Sequence, residues 1–533
     1  MNTTAPAKPA NLANLAGLFY ASAQSGPDRD ALVWEDGTLS YAAFRDRIES
    51  LRPAIAPEPG IFVGILAHRS PLAYAAVQAI LAQGRAYAPM NPGFPPARNA
   101  YILRKASIGT LVVGEECAAA FTALLKELDK PLRVVVMGEA PQVKALAAAS
   151  SLVTLVVAVL GSHPEPMPLA PVPADGSAYV LFTSGSTGQP KGVRVRHDNV
   201  QSYIASFLEL YPIAREDRLS QTFDITFDVS VHDQFVTWSA GAALVVFPEK
   251  ALFSPLAYAA SRKITVWFSV PALAAFLESA RQVIPGALPD VRLSLFAGEK
   301  LTWKTCELWK TIAPNSAMAN LYGPTETTIV VLHFKIPPDF PEARCHQGGI
   351  PIGHAWDRQR MEIRRADGSL CADGELGGLW LAGDQVAPGY LGEEKMTAER
   401  FIERDGVIWY RSGDLVFRDG EGLVQYQGRE DFQVKVMGYR IELGEIENEL
   451  MRVSGAAFAI ADVAQVRSGM DEIYCVLPAA FAPRKKDIKT GLKEKLPAYM
   501  VPRHYYYTDD IPLNSNGKMD RGAIRQKVIA GTI

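Results

Sequence analysis

The segment Tyr179 to Val193, YVLFTSGSTGQPKGV, carries the side chains best suited to gripping a phosphate. Its apolar run, Val180 to Phe182, has the character of a buried strand. The strand delivers the chain into Thr183, Ser184, Gly185, Ser186, Thr187 and Gly188, and then into Pro190, Lys191 and Gly192. Glycines let successive backbone amides turn toward an anion, and the hydroxyls add further donors. Lys191 supplies a point charge. The spacing departs from the GxxxxGKS/T phosphate loop, because Gly192 rather than Ser or Thr follows the lysine. The rival reading is a plain Ser/Gly-rich turn. Such linkers rarely follow a buried strand directly or end in Pro-Lys-Gly.

The elements that position this loop follow an α/β pattern. Ile61 to Leu66 reads as a strand followed by a helix over Pro71 to Leu81, and Thr110 to Val113 as a strand followed by a helix over Cys117 to Leu128. Such alternation predicts parallel strands. Five prolines between Gly161 and Gly176 remove amide donors and predict a surface connector. Near Gly428 the chain becomes more charged and its periods shorten. The expected organisation is a large N-terminal part over residues 1–430 and a small α+β domain over 431–533.

A chain of 533 residues is too long for one core. It is 48% hydrophobic and 21% charged, with a net charge of −3 and scattered Lys and Arg, so nothing points to nucleic acid. The five cysteines form no CxxC pair and are odd in number, which predicts reduced thiols in the cytoplasm and no zinc site. The N-terminus lacks a basic start followed by an apolar stretch, so no signal peptide is expected. The longest strongly apolar run, Leu152 to Leu160, is far short of the roughly 20 residues a membrane helix needs. It is expected to be a buried strand, and no membrane insertion is expected.

The loop TSGSTGQPKGV resembles the signature of the adenylate-forming superfamily, and further motifs follow in that family's order from about Leu39 to Arg521. They are similar to those of stand-alone amino-acid-activating enzymes, including nonribosomal peptide synthetase adenylation domains and D-alanine–carrier protein ligase. The resemblance implies a large N-terminal domain of stacked α/β subdomains, a small mobile C-terminal domain, and a site for ATP and Mg²⁺. LSYAAF (Leu39 to Phe44) and LAQGRAYAPMNPGFPPAR (Leu81 to Arg98) match the early motifs, read as packing and loop geometry. Gly298, Glu299 and Lys300 match a turn beside the adenine. Asn320, Leu321, Tyr322, Gly323, Pro324, Thr325 and Glu326 match NxYGPTE: Tyr322 is implied to stack on adenine, Thr325 to contact phosphate and Glu326 to hold Mg²⁺ through one carboxylate. Asp414 in YRSGDL is implied to accept both ribose hydroxyls, with Tyr426 nearby, Arg429 on ribose or phosphate, and Asp431 as the hinge. Lys518 in NGKMDR matches a lysine that bonds the substrate carboxylate and a phosphate oxygen. Together with Glu326, Thr183 and Lys191, Lys518 makes the expected catalytic set.

The segment TFDITFDVSVHDQF contains Asp224, Asp228 and Asp233. Asp228 matches the acid of the amino-acid-activating branch that pairs with the substrate ammonium. A buried cation needs such an anion, and an acid without an amine does not. Asp224 is expected to cap a helix. By the same resemblance Val229, His232, Ser269, Leu295, Ala297, Leu321, Ile329 and Val330 line the acyl pocket, which suits alanine, proline, serine, valine or a β-amino acid. His232 is read either as a substrate contact or as a side chain satisfied by a neighbour. The segment Gly428 to Glu447 matches one that the small domain presents to a thiol arm after adenylation, with Gly438 leaving room. The chain ends soon after NGKMDR, so a separate phosphopantetheinylated carrier protein is expected to take the aminoacyl group from a monomer or weak dimer. Two alternatives remain open: an acyl- or aryl-CoA ligase, and a catalytically silent nucleotide-binding protein.

Overall fold

Short β-branched runs bounded by glycine and proline become the strands of two large sheets, with the alanine-rich helices packed on their faces. The computed structural model describes residues 14–55, 60–160, 166–173, 175–185, 189–465, 471–512 and 519–533. One sheet has eight strands and the other nine. In the eight-stranded sheet, Ser177–Thr183, Ala86–Met90, Phe62–Leu66, Thr110–Val113, Leu132–Met137 and Val153–Ala158 run parallel in that order. Lys191–Arg196 returns antiparallel along Ser177–Thr183, so the Ser/Gly/Thr loop is the turn between two paired strands. The expected helices form at Pro71–Ala82 and Ala118–Leu125. Ser70 caps the first by accepting from the Ala73 amide, and Pro71 sits where its missing N–H is not needed.

The nine-stranded sheet has a parallel centre built from Ala317–Tyr322, Leu293–Phe296, Val266–Ser269, Arg218–Gln221, Ala243–Val246 and Asp30–Trp34. Several motif residues lie at or just beyond the carboxyl ends of these strands, where open α/β sheets place ligands. A third, antiparallel sheet of five strands holds Val407–Arg418 and Val424–Arg429, which carry Asp414 and Arg429.

The run Leu152 to Leu160 differs from expectation. Val153–Ala158 is a strand, but at the edge of its sheet, with Val157, Val159 and Leu160 exposed. A parallel strand is covered on both sides only in the interior of a sheet.

Beyond the third sheet comes the smaller C-terminal domain. The hairpin Gln433–Val436 and Tyr439–Glu442 leads into the helix Leu443–Ser454 and a three-stranded sheet of Ile460–Ala464, Glu472–Leu477 and His504–Tyr507. Its buried apolar residues form two clusters distinct from those of the larger part. No helix among the described residues is long and apolar enough to cross a membrane.

Candidate active site

A narrow cleft of about 90 Å³ lies between the larger part and the C-terminal hairpin. Thr183, Ser184, Asp228, Val229, Ala297, Gly298, Gly323, Pro324, Thr325, Ile329, Asp414 and Arg429 line it, so residues from five separated motifs meet there. Gly185 meets the backbone of Gln189 closely: a Cβ on Gly185 would lie 2.1 Å from the Gln189 carbonyl oxygen, which only glycine avoids. The Thr183 hydroxyl is buried and has no hydrogen-bond partner among the described residues. Ser186, Thr187, Gly188 and Lys518 lie outside the described residues.

Glu326 is fully buried in the 3₁₀ turn Thr325–Thr327. It accepts from the Tyr390 hydroxyl at 2.7 Å, and it pairs with Arg440 at 2.7 Å and Lys191 at 3.2 Å. Burial alone would raise its pKa, but the two cations hold it well below the usual carboxylate range. Burial lowers the Lys191 ammonium to about 8, against the pull of Glu326. Thr328 and Ile329, just past this turn, have φ of 58° and 70°. Two successive non-glycine residues in that region are strained, and such strain clusters at ligand sites.

Asp414 is buried and accepts from Arg429 at 2.6 Å and from the Tyr322 hydroxyl. Arg429 also forks onto Asp431 at 2.7 and 2.9 Å. Lys435 of the hairpin sits 5.6 Å from the Tyr322 ring centroid. Gly438 at the hairpin tip donates its N–H to Glu299 at 2.6 Å. Its φ is +81°, and a Cβ there would lie 2.5 Å from Val270 Cγ1. Burial pushes the Glu299 carboxyl up to about 7. The Ser184 hydroxyl donates to the Arg440 carbonyl at 2.7 Å. The hairpin therefore holds the phosphate loop, Glu326 and Glu299 at once.

Asp228 stands at the start of the helix Val229–Ser239 and is 9% exposed. Burial raises its carboxyl to about 6, against the Thr325 hydroxyl and the Lys435 ammonium, which favour ionisation. Asp224 corrects its expected role. It holds Thr226, two residues on, and accepts from Asn91, so it ties a turn before the helix rather than capping it. Asp233 is buried, and burial raises its carboxyl well above the usual carboxylate range.

The expected acyl-pocket set divides. Val229, Ala297 and Ile329 line the cleft, whereas Leu295, Leu321 and Val330 lie in the hydrophobic core behind it. Ser269 accepts from Trp267 Nε1 at 2.9 Å. His232 Nδ1 pairs with the Tyr203 hydroxyl at 2.6 Å, and burial lowers the ring to about 3, so it is neutral. Of the two readings of His232, the structure displays the side chain bonded to a neighbour. Two nucleotide-set residues also point elsewhere. Lys300 donates to the Gln347 carbonyl at 2.9 Å, and Asn320 holds the Ile350 and Pro351 carbonyls. Tyr426 packs against the core. Sequence reasoning assigned no role to Tyr390, Lys435 or Arg440, although the last two lie inside a segment it had singled out.

A family model described as "AMP-binding enzyme" matches residues 19–391. Over 524 residues the chain is 32% identical to a phenyloxazoline synthase, MbtB, of Mycobacterium tuberculosis, covering 95% of this chain and 34% of that one. The chain thus spans about a third of the length of that relative. Among solved structures, the Vibrio cholerae adenylation domain AlmE in complex with glycyl-adenosine-5'-phosphate superposes with a TM-score of 0.89 at 28% identity, covering 99% of this chain and all of that one. Holo-PA1221, an NRPS protein containing adenylation and PCP domains, shares the fold with a TM-score of 0.76 at 23% identity, covering 96% and 84% of the two chains.

Proposed function

This chain belongs to the AMP-binding enzyme family, in the amino-acid-activating branch of the adenylate-forming superfamily, and from that premise we propose that it adenylates a small amino acid and passes the aminoacyl group to the phosphopantetheine thiol of a separate carrier protein. The observation that carries the reading is the placing of Asp228 in one cleft with the phosphate loop, Asp414 and the turn that holds Glu326. An anion for the substrate ammonium thus stands beside the groups expected to hold the nucleotide.

In the first reaction an oxygen of the substrate carboxylate attacks the α-phosphorus of ATP, and the bond to pyrophosphate breaks with its electron pair. Ser184, the Gly185 amide and Lys191 orient the phosphates, Asp414 the ribose, and Tyr322 the adenine. Lys518, brought in by the C-terminal domain, steadies the carboxylate and the α-phosphate as charge builds. Glu326 and the Thr183 hydroxyl, which has no partner among the described residues, are oxygen donors that suit Mg²⁺, which would neutralise phosphate charge when bound. In the second reaction the thiol sulfur attacks the acyl carbon. The C–S bond forms, the C–O bond to AMP breaks, and the thiol proton passes to solvent.

Two reactions in one cleft need two poses of residues 431–533 turning about Asp431. Lys435, Gly438 and Arg440 in the cleft suit the second pose. The lining of Val229, Ala297 and Ile329 favours a short side chain. Glycine, the acyl group of the adenylate bound to AlmE, joins alanine, proline, serine, valine and β-amino acids as candidates.

Pyrophosphate exchange with both enantiomers of the common amino acids, run against a panel of acids lacking an amine, tests the reading. Exchange with a small amino acid is expected. Exchange only with acids that lack an amine would replace the proposal with an acyl- or aryl-CoA ligase.

A further inference from the structure

The contact between Arg98 and Glu445 joins the two parts of the molecule at a place that neither half-reaction, as described above, uses. Arg98 lies on the helix Pro96–Lys105 and Glu445 in the first turn of Leu443–Ser454. Their side chains pair at 2.7 Å and are only 6% and 3% exposed. The backbone amide of Gly185 lies beside the same carboxylate and favours its ionisation. Around the pair runs an aromatic chain: the Arg98 guanidinium lies 5.5 Å from the Phe94 ring, Phe94 meets Tyr499 edge-on, and Tyr499 stacks on Tyr439 of the hairpin at 3.7 Å. Phe94, Tyr439 and Tyr499 all line the cleft.

We infer that Arg98 and Glu445 are positioning residues for the transfer of the aminoacyl group to the thiol, forming a buried lock that exists only while the hairpin occupies the cleft. The inference rests on the two-pose reading above. The hairpin fills the space beside Tyr322 and Glu299, so it must withdraw before Lys518 can act there. Glu445 lies three residues past the hairpin strand Tyr439–Glu442 and must withdraw with it. Breaking a buried pair by removing one partner strands the other as an uncompensated buried charge, whereas replacing both by apolar groups of similar size is often neutral. That penalty falls on the locked pose alone, because withdrawal returns Glu445 to water.

The experiment uses the full chain with pantetheine as the thiol and the amino acid that supports exchange in the parent. Arg98→Met should lower thioester formation at least about tenfold while leaving pyrophosphate exchange and Tm near parental values. Arg98→Met combined with Glu445→Leu should recover most of the lost transfer. Glu445→Gln provides a second single variant should Arg98→Met fold poorly. Parental transfer in the single variants, equal loss of exchange and transfer, or a double variant as impaired as the single would each overturn the lock. Exchange in the parent with normal transfer in every variant discards the lock alone, whereas absence of exchange in the parent discards the proposed function and the lock together.

Discussion

Asp228 is proposed to pair with the substrate ammonium, and its burial makes its charge depend on pH. Its carboxyl is raised from 3.8 to about 6, a penalty of about 3 kcal/mol on the ionised form. Because the folded value exceeds the unfolded one, the group costs no stability below pH 3.8 and costs progressively more as pH rises to about 6, after which the cost is constant. Substrate binding has the opposite slope, since only the carboxylate pairs with an ammonium. The KM for the amino acid should therefore fall as pH is raised through about 6, and Asp228→Asn should flatten that profile and raise KM about 10- to 100-fold with little change in the KM for ATP. A variant that instead weakened ATP binding would remove Asp228 from the ammonium role. Lys518→Ala should lower adenylation by about 10²- to 10³-fold while ATP still binds, as measured by exchange and by nucleotide titration. The placing of Asp228 and Asp414 in one cleft was legible because each sits at a fixed offset inside a local motif. The surroundings of His232 and Ser269 were not. Tyr203 lies 29 residues before His232, and no spacing rule announces their 2.6 Å contact.

The hairpin Gln433–Glu442 behaves as a plug with a glycine at its tip. Gly438 combines φ of +81° with a distance of 2.5 Å from the position of a Cβ to Val270 Cγ1, so any side chain meets both strain and a clash when the hairpin is seated. The clash is relieved once the hairpin is withdrawn, because Val270 belongs to the larger part, whereas the strain of the turn is the same in either pose. Gly438→Ala should therefore lower thiol transfer at least about tenfold and spare adenylation, as read by the same two assays on one preparation. Equal loss in both assays would show that the glycine serves folding rather than seating. The sequence marked this segment and its glycine, and it marked the strands and helices that frame the cleft, because period and turn residues are local signals. It did not show Arg440 against Glu326, 114 residues earlier, nor the edge placement of Val153–Ala158. Both depend on which elements become neighbours, which local pattern does not encode.

At the level of the whole molecule, groups proposed to serve the ATP triphosphate and its cation are engaged by the C-terminal domain. The Ser184 hydroxyl is taken by the Arg440 carbonyl, and Glu326 by the Arg440 guanidinium. A ligand can shift a two-state equilibrium only by binding one state better than the other. ATP with Mg²⁺ needs these groups free, so it should favour withdrawal of the hairpin. AMP, lacking the β- and γ-phosphates, should leave both contacts in place. Hydrogen exchange at the amides of residues 433–442 reads the difference directly. With Mg²⁺ and a non-hydrolysable ATP analogue, exchange in that segment should quicken relative to the free protein, while AMP should leave it unchanged. Arg440→Ala should narrow the gap between the two ligands, since the guanidinium no longer contends for Glu326. Equal exchange with both nucleotides in the parent would show that the hairpin and the triphosphate share the cleft, and the two-pose account would then fail. The motifs could not supply this pose, because each describes one local constellation, whereas the competition arises only where two distant constellations claim the same carboxylate.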